Sequence, residues 1–355
     1  MIGDKTPGVF EPSIIGRLGD IIEMQKKSFA AILFLISLLA PAGGPTAAER
    51  SVRVAYPAPT ASFLPLWTAH DAGFFKKHNL AVEIIQVGSS TRGMAALLAG
   101  QIDVLAGGGT GGIVAQLQGY SDLAIFGTNV HTWVFTVYAV PSIREVSQLR
   151  GKKLAVTRFG GTMDFAARHF LKGQGLEPGK DVTLIQIGSP ADIVPAMANG
   201  LVESGVMSVP YLFAARKLGL RELADLSQSG IRYAQAALVA KRSFLKEKRE
   251  VVTGFIKALV EATHYLKTRR ADGMRVLGRY TRTDDEDILK QAYDYHVDRL
   301  LSRVPEIRPE DVRLLLDEAA LTNAKARGAN PQDFIDEGPV REVVRSGFVD
   351  QLYRK

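Results

Sequence analysis

The sequence predicts an α/β fold of two doubly wound lobes, joined by two crossings and closed by a helical C-terminal segment. Three observations carry this. The chain repeats itself at roughly domain scale. Within each copy, short apolar or β-branched runs alternate with helical periodicity, as in parallel sheets with right-handed crossovers. After Ser243 the periodicity turns wholly helical.

The first copy holds "LAVEIIQVGSSTRGMAALLAGQIDVLAGGGT" at 80–110, and the second "KDVTLIQIGSPADIVPAMANGLVESGVMSVP" at 180–210. Gly88-Ser89 aligns with Gly188-Ser189, Gly100 with Gly200, and Asp103 with Glu203. Strands are expected at 52–56, 82–87 and 104–106, then at 153–157, 183–187 and 204–207, bounded by Gly and Pro. "HTWVFTVYAVPSI" at 131–143 reads as a strand leaving the first lobe, and "IRYAQAALVAKRSFL" at 231–245 as the strand returning. Helices are expected at 248–267, 284–301, 309–322 and 331–346, packed on the first lobe with their charges in solvent. The expected division is 1–48 as extension and signal, 49–133 with 241–355 as lobe one, and 134–240 as lobe two.

The N-terminus reads as an address. Lys26-Lys27 precede a twelve-residue apolar run, 29–40, followed by a Pro/Gly breaker and Thr46-Ala47-Ala48. That succession describes a secretory signal peptide, and the run is too short to span a bilayer. Residues 1–23 fit no part of a signal, so Met24 reads as the true start. Cleavage after Ala48 leaves 40 basic and 33 acidic residues. A modest positive field suits an anionic ligand or a membrane surface. The basic residues are scattered and do not suggest nucleic acid. With no cysteine, disulfides, thiolate metal sites and cysteine nucleophiles are excluded.

The run "DVLAGGGTGGIVAQL", 103–117, matches G-x-G-x-x-G at Gly107, Gly109 and Gly112. A dinucleotide fold places this turn after its first strand, with an acid about twenty residues on. Here it follows the third strand, and residues 125–138 contain no acid. The glycines instead read as a strand-to-helix turn whose free N–H groups, ahead of a helix at 113–118, favour an anion or a carbonyl oxygen. The alternative is a turn that serves packing alone.

"PAPTASFLPLWTAHDAGFFKKHNLAVEIIQVGSSTRGMAALLAGQIDVLAGGGT" resembles the N-terminal signature of substrate-binding proteins of ABC transporters in the nitrate/sulfonate/taurine group, which includes binders of the thiamine pyrimidine precursor. Pro65-Leu66-Trp67, residues 71–77 and the step Ala99-Gly100-x-x-Asp103 carry the likeness. "GKKLAVTRFGGTMDF" and "LKGQGLEPGKDVTLIQIG" resemble the second-lobe signature. The resemblance covers nearly all of the chain after the signal and does not specify one ligand. It implies a type II periplasmic binding fold that closes on a small-molecule ligand and docks on a membrane permease. It also implies a periplasmic location; no cofactor, no metal and a monomer are expected.

By position at strand ends, the candidate ligand-binding residues of lobe one are Thr60, Ser62, Phe63, Ser89, Arg92, Gly108, Gly109 and Thr110. Those of lobe two are Arg158, Gly160, Gly161, Thr162, Ser189 and Tyr211. Gly109→Val is accordingly expected to abolish binding while leaving the ligand-free protein folded. Phe63, Trp67, Trp133, Phe159 and Tyr211 are candidate aromatic walls. A flat heteroaromatic ring suits such walls; a sulfonate or carboxylate suits helix N-termini and hydroxyls. None of the six histidines has ligand spacing and no G-x-S-x-G elbow occurs, so the chain reads as a binder, not an enzyme. The alternative roles are a ligand sensor that docks on a membrane receptor and, behind it, a periplasmic enzyme on the same fold.

Overall fold

Strand β1 (Arg50–Tyr56) starts the first sheet because its apolar residues Val52, Val54, Ala55 and Tyr56 are all buried. The computed structural model describes residues 50–107, 109–321 and 323–354, so the expected signal segment and Gly108 lie outside the described residues. β1 pairs in parallel with β2 (Leu80–Gln86) and β3 (Val104–Ala106). β4 (Leu123–Gly127) and a late strand, β10 (Leu238–Lys241), complete the order β2-β1-β3-β10-β4. The second sheet uses β5 (Phe135–Ala139), β6 (Lys153–Val156), β7 (Thr183–Gln186), β8 (Ser204–Ser208) and β9 (Arg221–Asp225) in the order β7-β6-β8-β5-β9.

The repeat has a shared physical basis. Asp103 accepts from Arg53 N at 2.8 Å, and its aligned partner Glu203 accepts from Lys153 N at 3.0 Å. Both carboxylates satisfy a strand N–H that the parallel ladder leaves unpaired. Ser89 and Ser189 likewise cap the helices Ser90–Leu98 and Pro190–Ala198.

The sheets are not wholly parallel. In each, the fourth place is held by an antiparallel strand, β10 or β5, that has just arrived from the other lobe. A strand entering from the cleft starts at the carboxyl ends of the parallel strands and so must run against them. The change-overs span residues 128–134 and 226–237. β10 thus lies in the first sheet, and the expected boundary at 240/241 falls inside that strand. β4 and β9 were not expected. β9, "RELAD", is a charged, half-exposed edge that lacks an apolar signal.

The helix Arg249–Thr268 packs on the first lobe as expected, with Phe255 stacked on Phe75 at 5.3 Å between centroids. The expected helix at 284–301 divides into Glu286–Tyr293 and a π-helical turn, Asp294–Leu300. The segment also reaches the second lobe. Tyr295 donates toward Asp225 at 3.1 Å, and Glu318 holds His169 at 3.0 Å. Not all of its charges are solvated. Glu261 is buried between Lys77 and His78, and Asp311 is wholly buried. His296 is also wholly buried, and burial pushes its imidazole down to about 4.

Candidate ligand-binding site

The carboxyl ends of both sheets face each other across a cavity. Pro57, Ala58, Thr60, Phe63, Gly88, Ser89, Ser90 and Gly107 line it from the first lobe. The second lobe supplies Phe135, Thr157, Arg158, Gly161, Thr162, Met163, Pro190 and Ser208; Gln235 and Ala236 come from the returning crossing. The lobes touch at the rim, where Ala61 N donates to Val209 O at 3.0 Å and Tyr211 OH to Pro59 O at 3.0 Å.

The chemistry of the wall is uneven. Among the described lining residues there is one cationic side chain, Arg158, and no carboxylate. Three helices present their first residues: Ser90–Leu98, Thr162–Gly173 and Pro190–Ala198. In the first two, first-turn N–H groups without an intrahelical partner and the helix dipole favour negative charge. The third begins at Pro190, which has no N–H, and Ser189 holds Ala191 N and Asp192 N. Three buried polar atoms on the wall have no hydrogen-bond partner: Arg158 Nε, Ser208 Oγ and Gln235 Oε1. Buried polar groups are normally paired, so such atoms at a cavity point to a polar occupant.

The structure brings together six of the candidate residues: Thr60, Phe63, Ser89, Arg158, Gly161 and Thr162. Ser62 lines a smaller cavity behind Phe63, with Asn129 and Leu238. Arg92 and Gly160 are exposed, Ser189 caps its helix from outside the lining, and Tyr211 joins the rim. Burial, then the charge of Asp192, pushes the Tyr211 phenol up to about 12, so it stays a neutral donor. Of the candidate aromatic walls only Phe63 lines the cavity. Trp67 is stacked under Tyr280 at 4.6 Å, Trp133 packs among Phe165, His169 and Tyr233, and Phe159 is exposed beside Arg168.

The glycine run holds the chain's own crossing. The helix begins at Gly109, four residues before the expected 113, so Gly109, Gly111 and Gly112 are helical. A Cβ on Gly109 would stand 3.3 Å from both Ala234 O and Ala237 Cβ. Gly107 N donates to Ala237 O at 2.8 Å, and Thr110 Oγ1 shares a 2.8 Å hydrogen bond with Tyr233 OH. Burial raises the Tyr233 phenol, against the hydrogen bonds from Thr110 and Thr162. Gly107, at φ +97°, sits where a side chain would press on Phe63 and Pro57.

Sequence reasoning missed Gln235, Ala236 and Pro57 as lining residues, while Ser90 lies in the loop 89–92 expected to face the cleft. Gln235 carried one usable signal: it is the lone amide in the apolar stretch "YAQAALVA".

Residues 60–270, more than half of the chain, match the family described as NMT1/THI5 like. The Bacillus subtilis (strain 168) protein YtlA is 26% identical over 263 residues, covering 71% of this chain and 79% of YtlA. The alkanesulfonate-binding protein SsuA from Xanthomonas axonopodis pv. citri, bound to MOPS, superposes with a TM-score of 0.67 at 20% identity, over 84% of this chain and 99% of SsuA. The periplasmic nitrate-binding protein NrtA from Synechocystis PCC 6803 gives 0.69 at 16% identity, over 83% and 88%. These likenesses carry the periplasmic-binding-protein fold, and the family match carries membership: the chain belongs to the NMT1/THI5-like family.

Proposed function

We propose that this chain is the solute-binding component of an ABC importer: it captures a small organic anion in the periplasm and delivers it to a membrane permease. The carrying observation is the cavity wall, with Arg158, two helix N-termini that keep free N–H groups, and unpaired buried polar atoms, and no carboxylate among its described residues. The names of SsuA and NrtA, both anion binders, support the same class. An anion suits this wall better than an uncharged ring, because Phe63 and Phe135 are the only aromatic rings among the described lining residues. The proposed lobes turn about residues 128–134 and 226–237. Closure adds second-lobe contacts to a ligand already held by the first, which favours the closed state.

Native mass spectrometry of gently purified protein tests this reading. The wild type is expected to carry a small acid without turning it over. Arg158→Met is expected to weaken its retention about 10- to 100-fold, the worth of a charge-assisted hydrogen bond, with little change in ligand-free stability. A wild type that stays empty in the presence of organic acids would sink the proposal.

Export is tested separately. N-terminal sequencing of periplasmic protein is expected to begin near Glu49. Protein found in the cytoplasm with its N-terminus intact would overturn the periplasmic reading.

A further inference from the structure

Gln235 joins the cavity to the hinge. It lies in the returning crossing and is 6% exposed. Its N–H donates to Val130 O of the outgoing crossing at 3.0 Å, and its carbonyl accepts from Thr128 Oγ1. Both crossings therefore hold its backbone. The residue lines the cavity, and its enclosed Oε1 has no partner. Its neighbours Ala234, Ala236, Ala237 and Leu238 are apolar. An apolar side chain would meet a packing need at residue 235 without leaving a buried acceptor unpaired.

We propose that Gln235 is a specificity-determining residue: a hinge-borne amide that selects, among small organic anions, those carrying a second group able to donate a hydrogen bond. This rests on the anion-binding reading above. Arg158 and the helix N-termini attract the charge, while Gln235 receives the donor at a point fixed by both crossings, so little ordering is needed on binding. An isosteric ligand with a methyl in place of the donor leaves the amide oxygen buried and unpaired. Sites of this kind discriminate strongly against such analogues.

Two probe pairs test it by titration calorimetry on the secreted chain: 2-hydroxyethanesulfonate against propane-1-sulfonate, and 4-hydroxybutanoate against pentanoate. The wild type is expected to favour the hydroxyl member of at least one pair about tenfold or more. Gln235→Met is expected to bind both members of that pair equally, with a ligand-free melting midpoint at or above that of the wild type. Equal binding of both members by the wild type would overturn the inference and leave the anion reading intact. So would a preference that survives in Gln235→Met, or a midpoint lowered by more than about 5 °C, which would make the residue structural. Failure of all four probes to bind the wild type would defeat the anion reading, and this inference with it.

Discussion

Asp311→Asn is expected to lower stability by about 3 kcal/mol, a fall in melting midpoint on the order of 6–10 °C. Asp311 opens the helix Glu310–Ala319 and is wholly buried. One carboxylate oxygen accepts from His131 Nδ1 and from Arg308 N, each at 3.0 Å. The other accepts from Arg232 Nη2 at 2.6 Å and Nε at 3.1 Å. His131 belongs to the outgoing crossing and Arg232 to the returning one, so a single buried carboxylate ties both to the C-terminal segment. Removing one partner of a buried pair costs about 3–5 kcal/mol. The lower figure applies because Arg232 is 43% exposed and regains water. Burial alone would raise the Asp311 carboxyl. The hydrogen bond and charge of His131, with those of Arg232, outweigh it and hold the carboxyl below its ordinary 3.8. A group depressed in the folded state stabilises above its unfolded pKa, and that contribution fades as pH falls through the folded value. The gap between wild type and Asp311→Asn is therefore full at neutral pH and narrows below pH 3.8. Chemical denaturation at several pH values measures it. A gap under about 1 kcal/mol at pH 7, no more than one ordinary hydrogen bond, or a gap that does not narrow in acid, would defeat the account.

Gly109→Val is the second large effect, and the structure reverses what the sequence leads one to expect of it. Gly109 faces the returning crossing, where even a bare Cβ lies 3.3 Å from the Ala234 carbonyl and from Ala237 Cβ. Valine adds two methyl groups to that contact. The loss is expected at about 2–3 kcal/mol, in the range for overpacking, and in the ligand-free protein. Gly109→Ala needs the neighbours to give only slightly and gains helix propensity, so it is expected within about 1 kcal/mol of wild type. Thermal unfolding without ligand separates the cases. A Gly109→Val protein that melts like wild type yet binds nothing would return the glycine to the ligand site.

Most of the fold was legible because strands and helices announce themselves locally. Runs such as Val104–Ala106 and Lys153–Val156 fall where apolar residues sit between glycines. The aligned acids Asp103 and Glu203 mark the same place in each lobe, since each satisfies a strand N–H there. Periodicity also placed Arg249–Thr268 and Glu310–Ala319, as it reports which face of a helix is apolar. The expected helix at 331–346, however, divides into a 3-10 turn, Pro331–Phe334, and a helix, Gly338–Arg345, and Arg270–Thr281 was not expected. Periodicity is silent on charge burial, which left Asp311 and Glu261 assigned to solvent: a buried carboxylate is recognised only by the partners that neutralise it, and those lie far off in sequence.

The chain order determined that loops at strand ends would face a cleft between two lobes. Which side chains enter that cleft was decided by packing between distant segments. Gly109 turned from the cleft because residues 234–237 cross over the start of its helix, and Thr110 is occupied by Tyr233 for the same reason. Gln235 entered it because the returning crossing is pinned to Val130 and Thr128 before β10 begins. Trp67 and Trp133 went to the interior because Tyr280, Phe165 and Tyr233, far off in the chain, close over their rings. Local sequence encodes an element's apolar face; the residue a loop offers to a ligand depends on what its other residues must pack against.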